Sequence, residues 1–267
     1  MDELQVGIEQ PPAVLPPPDW RALRSSAECV QRPYASKNPM NQDPLDSFLA
    51  QSSWTTTLTD EEARRVRKTI TVRSFTAGST VFARSAPPAH WAGVMEGMLK
   101  LDNITEEGRV STFAGVPSGA WFGEGSVLKD EPRPYAVTAL TDSVVALLPR
   151  SEFLRLLHES HPFALWLIGQ LNARLAHYVA QVQTDRLGDT TAQVAYSLSG
   201  LFNDALFPNT ARRITLSQEE LGRLSGVSRQ VTNRALQELQ DRDAIRLGYG
   251  SIEVIDLKVL QAIAREG

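Results

Sequence analysis

A single cysteine, Cys29, among 267 residues rules out a disulfide framework, a thiolate zinc site and an iron–sulfur ligand set. Histidine is nearly as scarce. His90, His158, His161 and His177 lack the spacing of a metal cluster, and His158 and His161 straddle an expected helix break. No apolar run approaches the ~18 residues of a membrane span, and no basic-then-apolar leader precedes a cleavage site. A cytoplasmic protein without a membrane partner is therefore expected. A basic excess is missing too: the net charge of −4 argues against a polycation that coats nucleic acid unselectively. No Lys-bearing phosphate loop or nucleophile elbow occurs in its strand-turn-helix setting, and nothing assembles a catalytic set, so no enzyme is expected.

What is present is a chain long enough for two domains, with 42% hydrophobic residues to build cores. Basic charge is placed locally. From Ala211 to Gly267 nine Lys or Arg stand against eight Asp or Glu, about +1, so with −4 overall the other 210 residues carry about −5.

The stretch from Ser217 to Asp241 has the pattern of two short helices joined at Gly226. Ser217 followed three residues later by Glu220 is a capping box, and Ser228 caps the second helix, where it can also donate to a phosphate. At about 100° per residue, Arg229, Asn233, Gln237, Gln230 and Arg234 share an arc of roughly 140°, while Val231, Ala235, Leu239 and Leu236 span roughly 200° to 340°. One face packs and the other is free to read. Guanidinium and amide groups clustered this way suit bidentate contacts to guanine and adenine edges in a major groove.

Residues 1–50 are rich in proline and poor in periodic apolar positions, which predicts a disordered or loosely docked tail, with Trp20 and Tyr34 as possible tethers. Residues 51–150 change to short runs bounded by Gly, Pro and Ser. A short helix is expected over 58–71, then strands at 71–75, 80–83, 91–96, 98–104, 109–114, 137–139 and 144–148. Such spacing implies an antiparallel barrel or roll, with Phe75, Val81, Phe82, Val94, Leu99, Phe113, Phe122, Val137, Val145 and Leu147 inside. Residues 151–187 hold a short helix capped at Ser151 and then a long one from His161-Pro162. Leu165, Ile168, Leu171, Leu175, Tyr178 and Val182, with Val179 beside them, form a stripe suited to a two-stranded seam. Two hairpins related by a twofold axis would meet major grooves one turn apart, so a homodimer on a pseudo-palindromic duplex is expected. Residues 188–267 complete the reader: a helix over 193–207 with Val194, Leu198, Leu201 and Phe202 inward, a strand near 213–216, and strands at 245–247 and 251–255 around the turn Gly248-Tyr249-Gly250.

The segment Trp121–Ala139 resembles the phosphate-binding cassette of cyclic-nucleotide-binding domains, in which Gly-Glu is followed nine residues after the Glu by Arg; Gly123, Glu124 and Arg133 fit. With the helical hairpin, roughly four fifths of the chain resembles the Crp/Fnr family of bacterial transcription regulators. The resemblance implies an α+β protein: an N-terminal antiparallel β-roll of double-stranded β-helix type, a long dimerisation helix and a C-terminal winged helix-turn-helix. It also implies that Glu124 accepts from a ribose hydroxyl, Arg133 pairs with a cyclic phosphate and cassette backbone amides complete the anion site. Arg229, Gln230 and Arg234 take the family's base-reading positions. Asn233, Ser217 and Ser228 are then phosphate or secondary contacts, and RNA polymerase is a further partner.

The chain departs from the pattern in three places. Pro134 follows the Arg and lacks the hydroxyl and N–H that would face phosphate. Tyr178 and Val179 stand where cAMP-responsive members place the hydroxyl pair that contacts adenine. Gln230 replaces a carboxylate with an amide, which shifts the expected base preference from cytosine toward adenine. The effector thus stays open among cAMP, another nucleotide, another small molecule, haem as in gas-sensing members, or none. In the last case Glu124 and Arg133 would form an internal ion pair that braces an empty cassette in a constitutive or protein-controlled regulator. A regulatory subunit of an enzyme built on this roll is the remaining alternative, and it leaves the Arg229–Gln237 face unexplained.

Overall fold

Asp43 accepts a hydrogen bond from the Leu45 N–H and Pro44 occupies the first helical position, which together start helix α1, Pro44–Gln51, inside the segment expected to be a tail. The computed structural model describes residues 32–33, 43–104, 110–187, 189–208 and 210–266; the rest of the expected tail, with Trp20, Cys29 and Tyr34, lies outside them. Leu45, Phe48 and Leu49 of α1 are buried, so this part of the tail reading is corrected: three apolar residues at helical spacing dock although prolines surround them. A 3-10 turn, Ser53–Thr57, then drives Trp54 into the core. Helix α2, Asp60–Thr69, opens with a reciprocal Thr59/Glu62 capping box and presents Arg67 to Asp43 and Asp46.

Two sheets form the roll. The first orders β1 (Arg32–Pro33), β2 (Thr71–Phe75), β9 (Ser143–Pro149), β4 (His90–Glu96) and β7 (Trp121–Phe122); the second orders β3 (Thr80–Phe82), β8 (Ala136–Ala139), β5 (Met98–Ile104) and β6 (Val110–Pro117). All pairs between these strands are antiparallel. Between β7 and β8 lies the short helix α3, Glu124–Lys129. Of the expected interior, Phe75, Val94, Leu99, Phe122, Val137, Val145 and Leu147 are buried, and Val81 and Phe82 pack against them partly buried. Phe113 is the exception, at 43% exposure. Val116 and Ala114 take the inward parity of β6, and a bulge separates the pair Leu101–Ala114 from Asp102–Thr112, so the ring is aimed outward, near Tyr135.

A second core joins the segment before the roll to the roll and the helices after it. Trp91 lies 4.5 Å from Trp121 and 5.2 Å from Trp54, and Phe163 reaches Trp54 at 5.8 Å between ring centres. The Trp121 and Trp166 indole N–H groups donate to Ser52 and Ser53. Helix α4, Arg150–Glu159, has Pro149 at its N-cap and no side-chain cap bond, so Ser151 is not the cap expected; helix α5, His161–Leu187, follows directly. The C-terminal module comprises α6 (Thr190–Gly200), β10 (Arg213–Ile214), α7 (Gln218–Ser225), α8 (Arg229–Asp241), β11 (Ile245–Gly248), β12 (Ser251–Val254) and α9 (Leu257–Glu266), with the strands in the order β10-β12-β11. Helix α6 ends seven residues before the expected 207, yet Val194, Leu198, Leu201 and Phe202 are buried as expected.

Because Trp54 is fully buried between Trp91, Trp121 and Phe163, Trp54→Ala is expected to cost about 3–5 kcal/mol. Chemical denaturation followed by circular dichroism measures the loss.

Candidate nucleic-acid interface and effector cassette

Helix α8 divides along its length. Arg229, Gln230, Asn233, Arg234 and Gln237 are exposed, while Thr232, Ala235, Leu236 and Leu239 are buried and Val231 is half-buried. Ser228 caps it, accepting from Val231 N at 3.3 Å, and Gly226 adopts φ 68° between the two helices, a conformation that costs other residues strain. Ser217 caps α7 by accepting from Glu220 N at 3.1 Å. The capping box expected there is only half formed. The Glu220 carboxylate turns away from the Ser217 N–H to Lys100 and Arg223, stronger ionic partners than a backbone amide.

Sequence periodicity passed over Thr232 and Gly222. A β-carbon on Gly222 would lie 2.6 Å from Thr232 Oγ1 and 3.0 Å from Val227 O, so α7 and α8 cross at a distance only glycine permits. A glycine inside the first helical pattern, with Thr232 falling in the apolar arc of the second, is the available signal. The wing, β11 and β12, is tied to α8 by Leu247 N donating to Gln240 Oε1 at 3.0 Å, and carries Tyr249 fully exposed at its tip. At the other end, Arg242 donates to both carboxylate oxygens of Glu266 in α9.

In the roll, Gly123 has φ 89° at the start of α3, and a β-carbon there would lie 2.5 Å from Arg133 Nη1. Glycine lets the cassette backbone close over the guanidinium. Arg133 is 1% exposed, donates from Nη2 to His90 O at 2.7 Å and lies over the Phe82 ring at 4.0 Å. Its Nε and Nη1, and Glu124 Oε2, are buried without hydrogen-bond partners among the described residues. The expected internal ion pair between Glu124 and Arg133 is not formed. Glu124 instead faces Arg174 of α5, Nε to Oε1 at 3.3 Å, because the long helix brings a second guanidinium to the cassette mouth, where it also donates to Trp121 O. Burial pushes the Arg133 guanidinium below its ordinary value, against the pull of Tyr135 and Glu124. Burial likewise raises the Tyr135 and Tyr178 phenols.

Along α5, Leu165, Ile168, Leu171, Leu175, Tyr178, Val179 and Val182 are all 37–62% exposed, whereas Phe163 and Leu167 on the other side are buried in the tryptophan core. His177, between them and α6, accepts or donates at Nδ1 to Tyr196 at 3.1 Å, and its pKa is lowered by burial and then by Arg174. His158 and His161 are exposed. Among the described residues no three His, Cys, Asp or Glu gather as metal ligands, and no helix is long and apolar enough to cross a membrane.

Residues 72–160 match the cyclic nucleotide-binding domain family and residues 173–263 the Crp-like helix-turn-helix domain family. The transcriptional regulator SdrP of Thermus thermophilus is 30% identical over 204 residues, 75% of this chain and 96% of that protein. A cyclic AMP receptor protein from the same organism is 29% identical over 171 residues, 64% of this chain and 77% of that protein. The crystal structure of a transcriptional regulator of the CRP/FNR family, also from Thermus thermophilus, superposes with a TM-score of 0.53 at 26% identity, covering 72% of this chain and 97% of that one.

The contact at Gly222 yields a direct test. Gly222→Val is expected to force α7 and α8 apart and cost about 1–3 kcal/mol, seen as a lower unfolding midpoint together with weaker duplex binding.

Proposed function

The chain belongs to the Crp/Fnr family of transcription regulators, and on that premise we propose that it acts as a homodimer, reading a pseudo-palindromic duplex with α8 and answering to an anionic small effector held in the roll. It is a DNA-binding transcription regulator with a cyclic-nucleotide-binding-type roll and a helix-turn-helix domain. Regulation, not catalysis, is its proposed role, in the cytoplasm and with RNA polymerase as protein partner on the DNA.

One observation carries the base-reading assignment: Arg229, Gln230 and Arg234 remain wet on the side of α8 opposite the buried Ala235, Leu236 and Leu239. Two arginines suit guanine O6 and N7, and Gln230 suits adenine. Ser217 and Ser228, at the starts of α7 and α8, and Asn233 supply the phosphate contacts that orient the helix. The exposed stripe from Leu165 to Val182 supports dimerisation, since seven large apolar groups at three- and four-residue steps leave a continuous patch in water.

The effector assignment rests on Arg133. Two buried guanidinium nitrogens without partners among the described residues are costly to leave unmet, and an anionic group would meet both. Glu124 Oε2 offers one acceptor for a hydroxyl beside them. Pro134 has no N–H to give the phosphate and Val179 has no hydroxyl to give the purine, so a nucleotide bound as in cAMP-responsive members would lose a polar partner at each end. A different anion is therefore favoured over cAMP. The contacts of Arg133 to His90 O and the Phe82 ring favour the second reading, a roll that is only structural.

Arg229→Ala is expected to weaken binding to a selected duplex by about 1–3 kcal/mol at fixed salt and to relax preference at one position; unchanged binding removes the base-reading assignment. Leu175→Glu places a charge on the stripe and should give a monomer in light scattering at micromolar concentration. Calorimetry against cyclic nucleotides and other small phosphates separates the two readings of the roll. Heat that vanishes in Arg133→Ala supports an anion site, whereas no heat and no thermal shift at millimolar ligand leave the structural roll.

A further inference from the structure

Lys100 and Asp102 stand two residues apart on β5, on the face away from the roll interior that Leu99 and Leu101 fill. Outward-facing charges on a sheet are normally wet. These are 7% and 4% exposed: Glu220 of α7 reaches over to Lys100, and Lys100 and Thr138 flank Asp102. Lys100 Nζ lies 3.1 Å from both Glu220 oxygens and 3.5 Å from Asp102 Oδ2, and Thr138 Oγ1 donates to Asp102 Oδ1 at 3.4 Å. Arg223 Nη1 then holds Glu220 at 2.8 Å and Nη2 holds Glu219 at 2.5 Å.

The surface around this cluster is apolar and closely fitted. Met98 of β5 belongs to the same buried cluster as Leu221, Leu224, Leu236 and Leu239 of the reader. A β-carbon on Gly115 of β6 would come within 2.8 Å of the Met98 methyl and 2.9 Å of Leu201. Apolar contact supplies attraction but little direction, since it tolerates sliding. A buried ammonium has the opposite character. Its Coulomb gain roughly offsets its desolvation, so it adds little net stability, but any docked placement that removes Glu220 from Lys100 gives up both 3.1 Å contacts and leaves the buried ammonium only Asp102, at 3.5 Å. The ion pair therefore selects one placement among those the apolar surfaces allow.

We propose that Lys100 is a positioning residue for DNA reading: through Glu220 it sets the placement of α7 on the roll, and through the α7–α8 contact the orientation of the base-reading helix. Glu220 lies three residues after the Ser217 cap, and Gly222, two residues further on, is where α8 packs at Thr232. Docking does not hide the reading face, as Arg229, Gln230, Asn233 and Arg234 stay exposed. The docked arrangement is thus preorganised for DNA, and an unlatched reader would lose orientational freedom on binding.

The inference rests on α8 being the base-reading helix, so full-length Arg229→Ala is measured beside the variants on a duplex selected by the unaltered protein, with fluorescence anisotropy across a salt series. Lys100→Met is expected to weaken binding about five- to twentyfold with the slope of log affinity against log salt unchanged, because Lys100 touches no phosphate. Glu220→Gln should lose a similar factor, and the double variant no more than either single one. Unchanged affinity, a slope reduced by about one, or losses that multiply in the double variant would each overturn the proposal. Should Lys100→Met not fold, Glu220→Gln carries the test with the same two readouts. Loss in Arg229→Ala without loss in either latch variant overturns this inference alone; no loss in Arg229→Ala removes the reading beneath it.

Discussion

Helix α8 keeps Arg229, Gln230, Asn233 and Arg234 in water because its other side is committed to packing. Thr232, Ala235, Leu236 and Leu239 sink into a core shared with α6, α7, the wing and α9. A fully buried leucine contributes about 1.5–3 kcal/mol, more than any exposed charge pair on the opposite face, so apolar burial decides which side turns inward. The polar side is then held outward by default. Gly222 makes the arrangement tight, since α7 meets Thr232 where no β-carbon fits, and Thr232 Oγ1 is satisfied by its own helix at Ser228 O.

Two other regions are incomplete in a single chain, in opposite ways. The α5 stripe leaves large apolar groups in water, and the cassette leaves polar atoms of Arg133 and Glu124 dry. Each is unfavourable as it stands. The proposed homodimer covers the first and the proposed anion completes the second. Arg174 lies between them: on the long helix that carries the stripe it faces Glu124 and donates to Trp121 O, so one side chain joins cassette and helix. Across the molecule, Lys100 and Glu220 join the roll to α7.

Much of this was legible along the chain. Strands 71–75 and 98–104 and the wing were marked by short runs with apolar positions bounded by turn residues, and the Ser217 and Ser228 caps by their position before periodic apolar residues. The seven stripe residues and the wet face of α8 followed from helical spacing alone. Errors arose where a local rule competed with a distant partner. Proline density around Pro44 masked the spacing of Leu45, Phe48 and Leu49, which the tryptophan core draws in. Phe113 looked interior by hydrophobicity, but parity and a bulge turned it outward. Glu220 was assigned to its own helix start and is taken by a lysine 120 residues earlier.

Local chemistry and period suffice to place elements, because caps, turns and amphipathic faces depend on residues within a few positions of each other. From these alone came the strands of the roll, the long helix, the helical hairpin and the exposed face of α8. Ionic partners are another matter. Arg174 with Glu124 and Lys100 with Glu220 are 50 and 120 residues apart, and a buried charge goes to whichever opposite charge the fold carries to it. Only tertiary structure decided those pairings, and with them how the cassette, the long helix and the reader are joined.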